Sequence, residues 1–312
     1  MNGFESFHPA VLFIYYILVV CFSMVSMHPV VILASLAGGI LFFGALNGLR
    51  KMFTELVFFF FMFIIMAVTN PIFVHNGETI LFFMNDNPVT LEALIYGAMA
   101  SLMIVGVMLW CRCYSDILTT DKFLYLFGKV IPKLGLILSM AFRFIPLFKY
   151  QIRKINQSQK TMGLYATDSI PDKIRGGIRI FDSLVSWSME NSIDTADAMK
   201  ARGYGLHGRT NFSLFRFRKR DGILLGVLGG FSLFILRRYA VGGYGFFYYP
   251  YVDQIQMAPK DIVQFGAVLI FMLIPGMIEI RGKLTGKYLR AKIKSHEGNM
   301  KLRRTEHGVT ES

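Results

Sequence analysis

Residues 9–46, PAVLFIYYILVVCFSMVSMHPVVILASLAGGILFFGAL, form an apolar run without a single Asp, Glu, Lys or Arg. A membrane-spanning helix needs about 20 apolar residues, because about 30 Å of hydrocarbon is crossed at about 1.5 Å per residue. The run is too long for one such helix, and His28-Pro29 lies near its middle, where proline favours a break. We therefore expect two membrane-spanning helices here.

Further apolar segments extend this prediction along the chain. They cover residues 53–74, 89–110, 223–236 and 262–280. The 312 residues are 54% hydrophobic, whereas soluble domains are usually about 45–50% apolar. The predicted fold class is therefore an all-α integral membrane protein with about six transmembrane helices.

The distribution of charge predicts the orientation of these helices. The net charge is +13, and loops rich in Lys and Arg are retained in the cytoplasm. With both termini inside, 30 of the 33 basic residues lie on the cytoplasmic side and only Arg237, Arg238 and Lys260 lie outside. We predict a multi-pass protein of the plasma membrane with cytoplasmic termini.

The segment 111–221 is too long for a simple connection and carries 19 basic and 9 acidic residues. Its apolar residues recur at three- and four-residue steps in one part, which predicts an amphipathic helix. These residues are Ile145, Phe148, Ile152, Ile155 and Met162. The preceding stretch 134–147 is apolar but contains Arg143 and Pro146, so it either extends the membrane region or lies at its cytoplasmic edge.

A second helix is predicted over residues 178–201, with an interruption or a new start near residues 192–194. Asp194 and Asp197 are suited to such a helix start, and Gly203 is suited to a helix stop. The string DAMKARGYG, residues 197–205, combines small residues with Arg202 at the helix end. That arginine could pair with a carboxylate of a partner, or the string is an ordinary last turn whose cation suits the helix dipole.

Two further strings decide between these alternatives. GKVIPKLG at 128–135 and LSMAFRFIP at 138–146, together with AMKARGY at 198–204, resemble the T component of energy-coupling factor transporters. The resemblance covers mainly residues 127–205. It implies two long cytoplasmic coupling helices between spans four and five, each ending in a short Ala-Arg-Gly-like motif that docks on an ATP-binding-cassette ATPase.

Carried over residue by residue, the resemblance makes Arg202 the docking arginine of the second coupling helix, with Ala201 and Gly203 allowing close contact. The first coupling helix would end at Lys160, Thr161, Met162 and Gly163, where Met162 replaces the arginine of the family. This contact would be apolar, or it would use Lys160 or Arg153. Arg143, Pro146, Asp194 and Asp197 would shape the coupling helices.

The resemblance also implies the composition of a complex. Its members would be two cassette ATPases, identical or different, this chain, and a small membrane subunit that binds a vitamin or a transition metal. ATP and magnesium would belong to the ATPases, so this chain would hold no cofactor and catalyse no reaction. The corresponding regions are 1–110, with about four spans, the coupling domain 111–221, 222–280, with about two spans, and the basic tail 281–312.

Several other functions are disfavoured by the sequence. Residues 203–210, GYGLHGRT, nearly match a phosphate-binding loop, but they follow a helix rather than a strand, and an arginine replaces the lysine. The histidines show no ligand spacing for a metal. The basic runs 215–220 and 281–304 are typical of contact with anionic lipid rather than nucleic acid.

Two alternatives of other classes remain open at this point. One is a membrane scaffold that recruits cytoplasmic partners, and the other is a carrier that works alone. A proton-driven carrier usually has acidic residues deep in its spans. Here Glu55, Glu92 and Glu279 lie near span ends, which disfavours the carrier.

Overall fold

The computed structural model describes residues 3–74, 76–84, 87–163, 170–206, 215–241, 245–253 and 259–308. The chain divides into two compact units. The first, here called the membrane unit, comprises Met1–Thr119 and Phe215–Ser312, and the second, the middle unit, is Thr120–Leu214. The predicted coupling domain, 111–221, contains the whole of the middle unit.

Helices make up most of the described residues. In the membrane unit they are α1 (Pro9–Val25), α2 (Pro29–Asn47), α3 (Leu49–Phe73), α4 (Leu91–Ile117), α8 (Lys219–Ala240) and α9 (Pro259–Gly308). In the middle unit they are α5 (Thr120–Val130), α6 (Pro132–Thr161) and α7 (Ile170–Ala201). A single 3₁₀ turn, Phe4–Ser6, precedes α1.

The predicted break inside the first apolar run is confirmed, because α1 ends at Val25 and α2 begins at Pro29. The ring of His28 caps α2, since its Nδ1 accepts a hydrogen bond from the backbone N–H of Val30 at 3.3 Å. His8-Pro9 starts α1 in the same way. Proline suits the first helical position, where no backbone donor is needed. A His-Pro pair therefore begins both helices.

The predicted fold class is confirmed. By length and composition, α2, α3, α4, α8 and residues Pro259–Leu289 of α9 could each cross a membrane, and α1 is a shorter apolar helix of 17 residues. The fifth span is longer than the predicted 223–236, because α8 continues for a turn at either end.

The core of the membrane unit is built around Trp110, whose side chain is fully buried. Its ring lies edge-on to Tyr15 at 6.1 Å and tilted against Phe42 at 6.0 Å. Its Nε1–H donates to the hydroxyl of Ser35 at 3.1 Å, and that hydroxyl shares a hydrogen bond with Ser23. The core thus joins α1, α2 and α4.

Glycines allow the helices of the membrane unit to approach closely. A Cβ atom at Gly38 of α2 would lie 2.9 Å from the Cβ atom of Met272 in α9. A Cβ atom at Gly97 of α4 would lie 2.9 Å from the carbonyl oxygen of Ala67 in α3. Small residues at such crossings are typical of helix packing in membranes.

A short hairpin that the sequence did not predict joins α3 to α4. Strand β1 (Ile80–Met84) pairs antiparallel with β2 (Asn87–Thr90), and Phe82 lies opposite Val89. The hairpin closes one side of an apolar groove of about 450 Å³ between α3 and α4. Only Phe59 and Pro71 of α3 are buried, so most of α3 faces outward with apolar side chains.

One end of the membrane unit carries most of its basic residues, and we call it the basic end. They include Arg50, Lys51, Arg112, Arg218, Lys219, Arg220, Arg281 and Lys283. Two buried carboxylates bind the N-terminal segment there: Glu279 accepts from the backbone N–H of Phe4 at 2.8 Å, and Asp221 accepts from that of His8 at 3.1 Å. The opposite end holds an ion pair of 2.5 Å between Arg238 and Asp261.

The middle unit corrects one prediction about its helices. Helix α6 runs through Arg143 and Pro146 as one element of 30 residues, so the apolar stretch 134–147 and the predicted amphipathic helix belong to the same helix. The predicted break near residues 192–194 is wrong. Asp194 and Asp197 lie inside α7 on its exposed surface, and Ser192 donates to the carbonyl oxygen of Ser188 one turn earlier rather than capping a new helix.

Candidate docking site at the ends of two long helices

The motif GKVIPKLG forms the sharp connection between α5 and α6. Gly128 of α5 and Gly135 of α6 approach so closely that a Cβ atom at Gly135 would lie 2.5 Å from the Cα atom of Gly128. Pro132 occupies the first position of α6, where its fixed backbone favours a helix start. This motif therefore sets where the long helix α6 begins.

Helix α6 contacts α7 through aromatic rings. Phe148 meets the ring of Trp187 edge-on, with centroids 6.0 Å apart, and stacks on Phe144 at 5.8 Å. From this contact, Met162 lies 14 residues further along α6 and Arg202 lies 15 residues further along α7. At about 1.5 Å per residue, both helix ends lie just over 20 Å beyond the contact. The two helices thus extend from it by nearly equal lengths.

Helix α7 ends in a Schellman motif. The backbone N–H of Tyr204 donates to the carbonyl oxygen of Met199 at 3.0 Å, and that of Gly203 donates to Lys200 at 2.9 Å. Gly203 has φ of 80°, a left-handed conformation that glycine adopts without strain. The prediction that Gly203 stops this helix is confirmed. Arg202, the residue before it, is exposed.

The described part of the end of α6 has a similar glycine turn. The backbone N–H of Gly163 donates to the carbonyl oxygen of Lys160 at 3.1 Å, and Gly163 has φ of 76°. The residue before this glycine is Met162, whose N–H donates to Ser158 as that of Arg202 donates to Ala198. Met162 and Arg202 therefore occupy equivalent positions at the ends of two equivalent helices.

Side chains at both ends are available to a partner. Met162 is 72% exposed, and Lys160, Thr161 and Ala201 are exposed too. The Arg202 guanidinium makes no hydrogen bond or ion pair with another described residue. An exposed, unpaired arginine on a fixed backbone is suited to bidentate pairing with a carboxylate.

The other predicted site residues lie within the helices rather than next to the capping glycines. Arg143 and Pro146 are exposed on α6, in the half before the contact with α7. Arg153 donates its Nε–H to the carbonyl oxygen of Lys149 at 3.2 Å, within its own helix. Asp197 pairs with Lys200 at 3.7 Å near the end of α7.

The predicted helix 178–201 covers only part of an apolar stripe on α7. The exposed members of this α7 stripe recur every three or four residues along one face of the helix: Ile170, Ile174, Ile178, Phe181, Val185 and Met189. Their spacing was visible in the sequence, but the predicted helix began eight residues too late to include the first two. The stripe offers an extended apolar surface to a helix of a partner.

Within the described ranges, no three His, Cys, Asp or Glu side chains are grouped so that they could hold a metal ion. Of the string that resembles a phosphate-binding loop, residues 207–210 lie outside the described residues. The described part, Gly203 to Leu206, forms a turn after α7.

Comparison with known proteins places the chain in a family. Residues 6–212 match the CbiQ family, described as a cobalt transport protein. The energy-coupling factor transporter transmembrane protein EcfT of Listeria innocua is 34% identical over 192 residues, which are 57% of this chain and 72% of that protein. EcfT of Staphylococcus aureus is 27% identical over 184 residues, 55% of this chain and 68% of its own length.

The matched region contains helices α1–α7 with both long helices of the middle unit, and it includes both glycine-capped ends. The resemblance noted in the sequence is thus confirmed over a longer part of the chain than residues 127–205. The chain belongs to the CbiQ family of transport proteins, as a multi-pass membrane protein similar to the transmembrane T components of energy-coupling factor transporters.

Proposed function

We propose that this chain is the coupling subunit of an ATP-driven importer and docks two ATP-binding-cassette ATPases, one at the end of α6 and one at the end of α7. The observation that carries the proposal is the matched pair of helix ends. Two equivalent ends, each fixed by a glycine cap and each exposed, are suited to binding two related partners at once. The ATPases are identical or different polypeptides, and they alone hold ATP and magnesium.

In this proposal the basic end of the membrane unit faces the cytoplasm. The basic residues there would retain it on that side, whereas the opposite end carries only Arg237, Arg238 and Lys260 among its described cations. Both termini and the middle unit are then cytoplasmic. The exposed cations from Arg216 to Arg220, next to the start of α8, would contact anionic lipid headgroups.

In energy coupling, the two long helices would transmit the motion of the ATPases. ATP binding draws the ATPases together and moves the ends of α6 and α7 relative to each other. Because the helices touch through Phe148 and Trp187, this motion would change the angle at that contact and move the parts of α6 and α7 that precede it. The α7 stripe lies partly in this region and would carry a separate membrane subunit that binds the substrate.

The cargo of such an importer is a micronutrient, either a vitamin or a transition metal. The pocket for it belongs to the substrate-binding subunit. This chain transmits motion and performs no chemistry on the cargo.

Charge reversal at Arg202 tests the proposal. The full chain is co-expressed with candidate cassette ATPases from the same genome and purified through a tag on this chain, and bound ATPase and cellular uptake are measured. Truncating an interfacial arginine typically costs about 2–5 kcal/mol, so Arg202→Glu should lose ATPase and abolish uptake while inserting normally into the membrane.

Arg179→Glu is the matched control, because Arg179 is an exposed arginine in the first third of α7, away from its C-terminal end. This variant undergoes the same change of charge and should retain the ATPases. Normal uptake by Arg202→Glu would refute the assignment of Arg202. Wild-type protein that captures no ATPase would refute the proposed function itself.

A further inference from the structure

The described parts of the two helix ends share a left-handed glycine and its backbone hydrogen bond, but they present different side chains. The residue before the capping glycine is apolar on α6, Met162, and cationic on α7, Arg202. The preceding residue is also different, Thr161 on α6 and Ala201 on α7. If both ends met the same surface, a carboxylate placed for Arg202 would face the Met162 thioether and be left unpaired. Leaving a buried charge unpaired is strongly unfavourable.

The lysines of the two ends differ in a second, independent way. Lys160 and Lys200 occupy equivalent positions, three residues before the capping glycine. Lys200 pairs with Asp197 one turn earlier at 3.7 Å, whereas the equivalent residue before Lys160 is the uncharged Gln157. The ammonium of Lys160 makes no hydrogen bond or ion pair with another described residue.

Among the described residues at the two ends, the cation without an acidic partner is therefore Lys160 on α6 and Arg202 on α7. Residues two positions apart point about 200° apart around a helix. Relative to the capping glycine, Lys160 of α6 thus points to nearly the opposite side of its helix from Arg202 of α7. The position next to the cap of α6 is apolar.

We propose that the ends of α6 and α7 recognise chemically different surfaces of the ATPase pair. Met162 enters an apolar pocket, a separate carboxylate on the other side of the end of α6 pairs with Lys160, and Arg202 pairs with a carboxylate next to the cap of α7. This inference rests on the proposed function and adds to it the chemistry of each contact. The two ends are not interchangeable.

Exchanging the two side chains tests this inference. The full chain is reconstituted in lipid nanodiscs and titrated with the purified ATPases that co-purify with the wild type. The variants are Met162→Arg, Arg202→Met, the double exchange of both, and the conservative Met162→Leu. Met, Leu and Arg have similar helix propensities and both capping glycines are kept, so the helix ends should remain folded.

We expect Met162→Leu to bind within about twofold of the wild type, because Leu keeps an apolar side chain of similar volume. Met162→Arg and Arg202→Met should each bind at least about tenfold more weakly, since each places a charge without a partner in the interface. The double exchange should not restore binding. Lys160→Ala should weaken binding more than Lys200→Ala, because the ammonium of Lys200 already lies 3.7 Å from the carboxylate of Asp197.

Wild-type affinity in Met162→Arg, or restoration by the double exchange, would overturn the inference, because both would mean that the ends are interchangeable. Equal losses in Lys160→Ala and Lys200→Ala would overturn the role of Lys160. These outcomes differ from a failure of the proposed function, in which the wild-type chain itself binds no ATPase and both proposals fall.

Discussion

Replacing Gly203 by alanine tests whether the cap of α7 holds the docking end in place. Gly203 has φ of 80°, which disfavours a side chain with a Cβ atom by about 1–2 kcal/mol. The new Cβ atom would also lie 3.0 Å from Cδ1 of Leu206, at the far end of a flexible side chain that can shift. The backbone strain therefore accounts for most of the expected effect.

The assay is amide hydrogen exchange of the purified chain, followed by mass spectrometry on peptides from the end of α7. The cap holds the backbone N–H of Tyr204 in a hydrogen bond to Met199 at 3.0 Å. Weakening the cap by about 1–2 kcal/mol should speed exchange there by roughly 5- to 30-fold. Unchanged exchange would refute the argument that a left-handed glycine fixes this end.

Gly177→Ala is a control on the same helix for which the opposite effect on hydrogen exchange is expected. Gly177 lies in the interior of α7, and a Cβ atom there would meet no neighbouring atom within 4 Å. Alanine in a helix interior is favoured over glycine by about 0.8–1.0 kcal/mol. Exchange around residue 177 should therefore become slower. The same substitution would then have opposite effects at two positions of one helix.

Further predictions concern the membrane unit. Trp110→Phe removes the donor to Ser35 in the core, and we expect a loss of about 1–3 kcal/mol, seen as a lower thermal unfolding midpoint in detergent. Gly38→Ala should lower that midpoint more than Gly276→Ala, because the added Cβ atom would lie 2.9 Å from α9 in the first case and 3.7 Å from its nearest neighbour in the second. Burial lowers the pKa of His28 from 6.5, although Asp261 opposes this shift. Folding therefore favours the neutral ring over the protonated one, so stability should fall as the pH falls below about 6.5. His28→Asn should reduce this pH dependence while keeping a helix cap.

The sequence alone predicted the features that depend on the residue type at a single position. The break before Pro29 and the stop at Gly203 were predicted correctly, because proline and glycine restrict or permit backbone angles wherever they occur. The same local reasoning failed at Asp194, which resembles a helix start. There the surrounding hydroxyls bond to carbonyls of the continuing helix, as the Ser192 hydroxyl does, so no cap forms.

Long-range pairings could not be read from the sequence. The carboxylates of Asp221 and Glu279 bind backbone N–H groups of the N-terminal segment more than 200 residues away, and no periodicity predicts such contacts. The equivalence of Met162 and Arg202 depends on two hydrogen-bonded caps whose geometry becomes visible only in the structure. The sequence alone showed only that Met162 departs from the pattern of the family.

We propose that ATP binding by the docked ATPases moves the ends of α6 and α7 relative to each other. The most direct test is a distance measurement between spin labels at Ser158 and Ala198, two exposed and equivalent positions one turn before the ends, in a chain whose three native cysteines are replaced. In the complex with its ATPases, the account predicts a different distance distribution with and without Mg-ATP, and no change for the chain alone. An unchanged distribution in a complex that binds and hydrolyses ATP would contradict it.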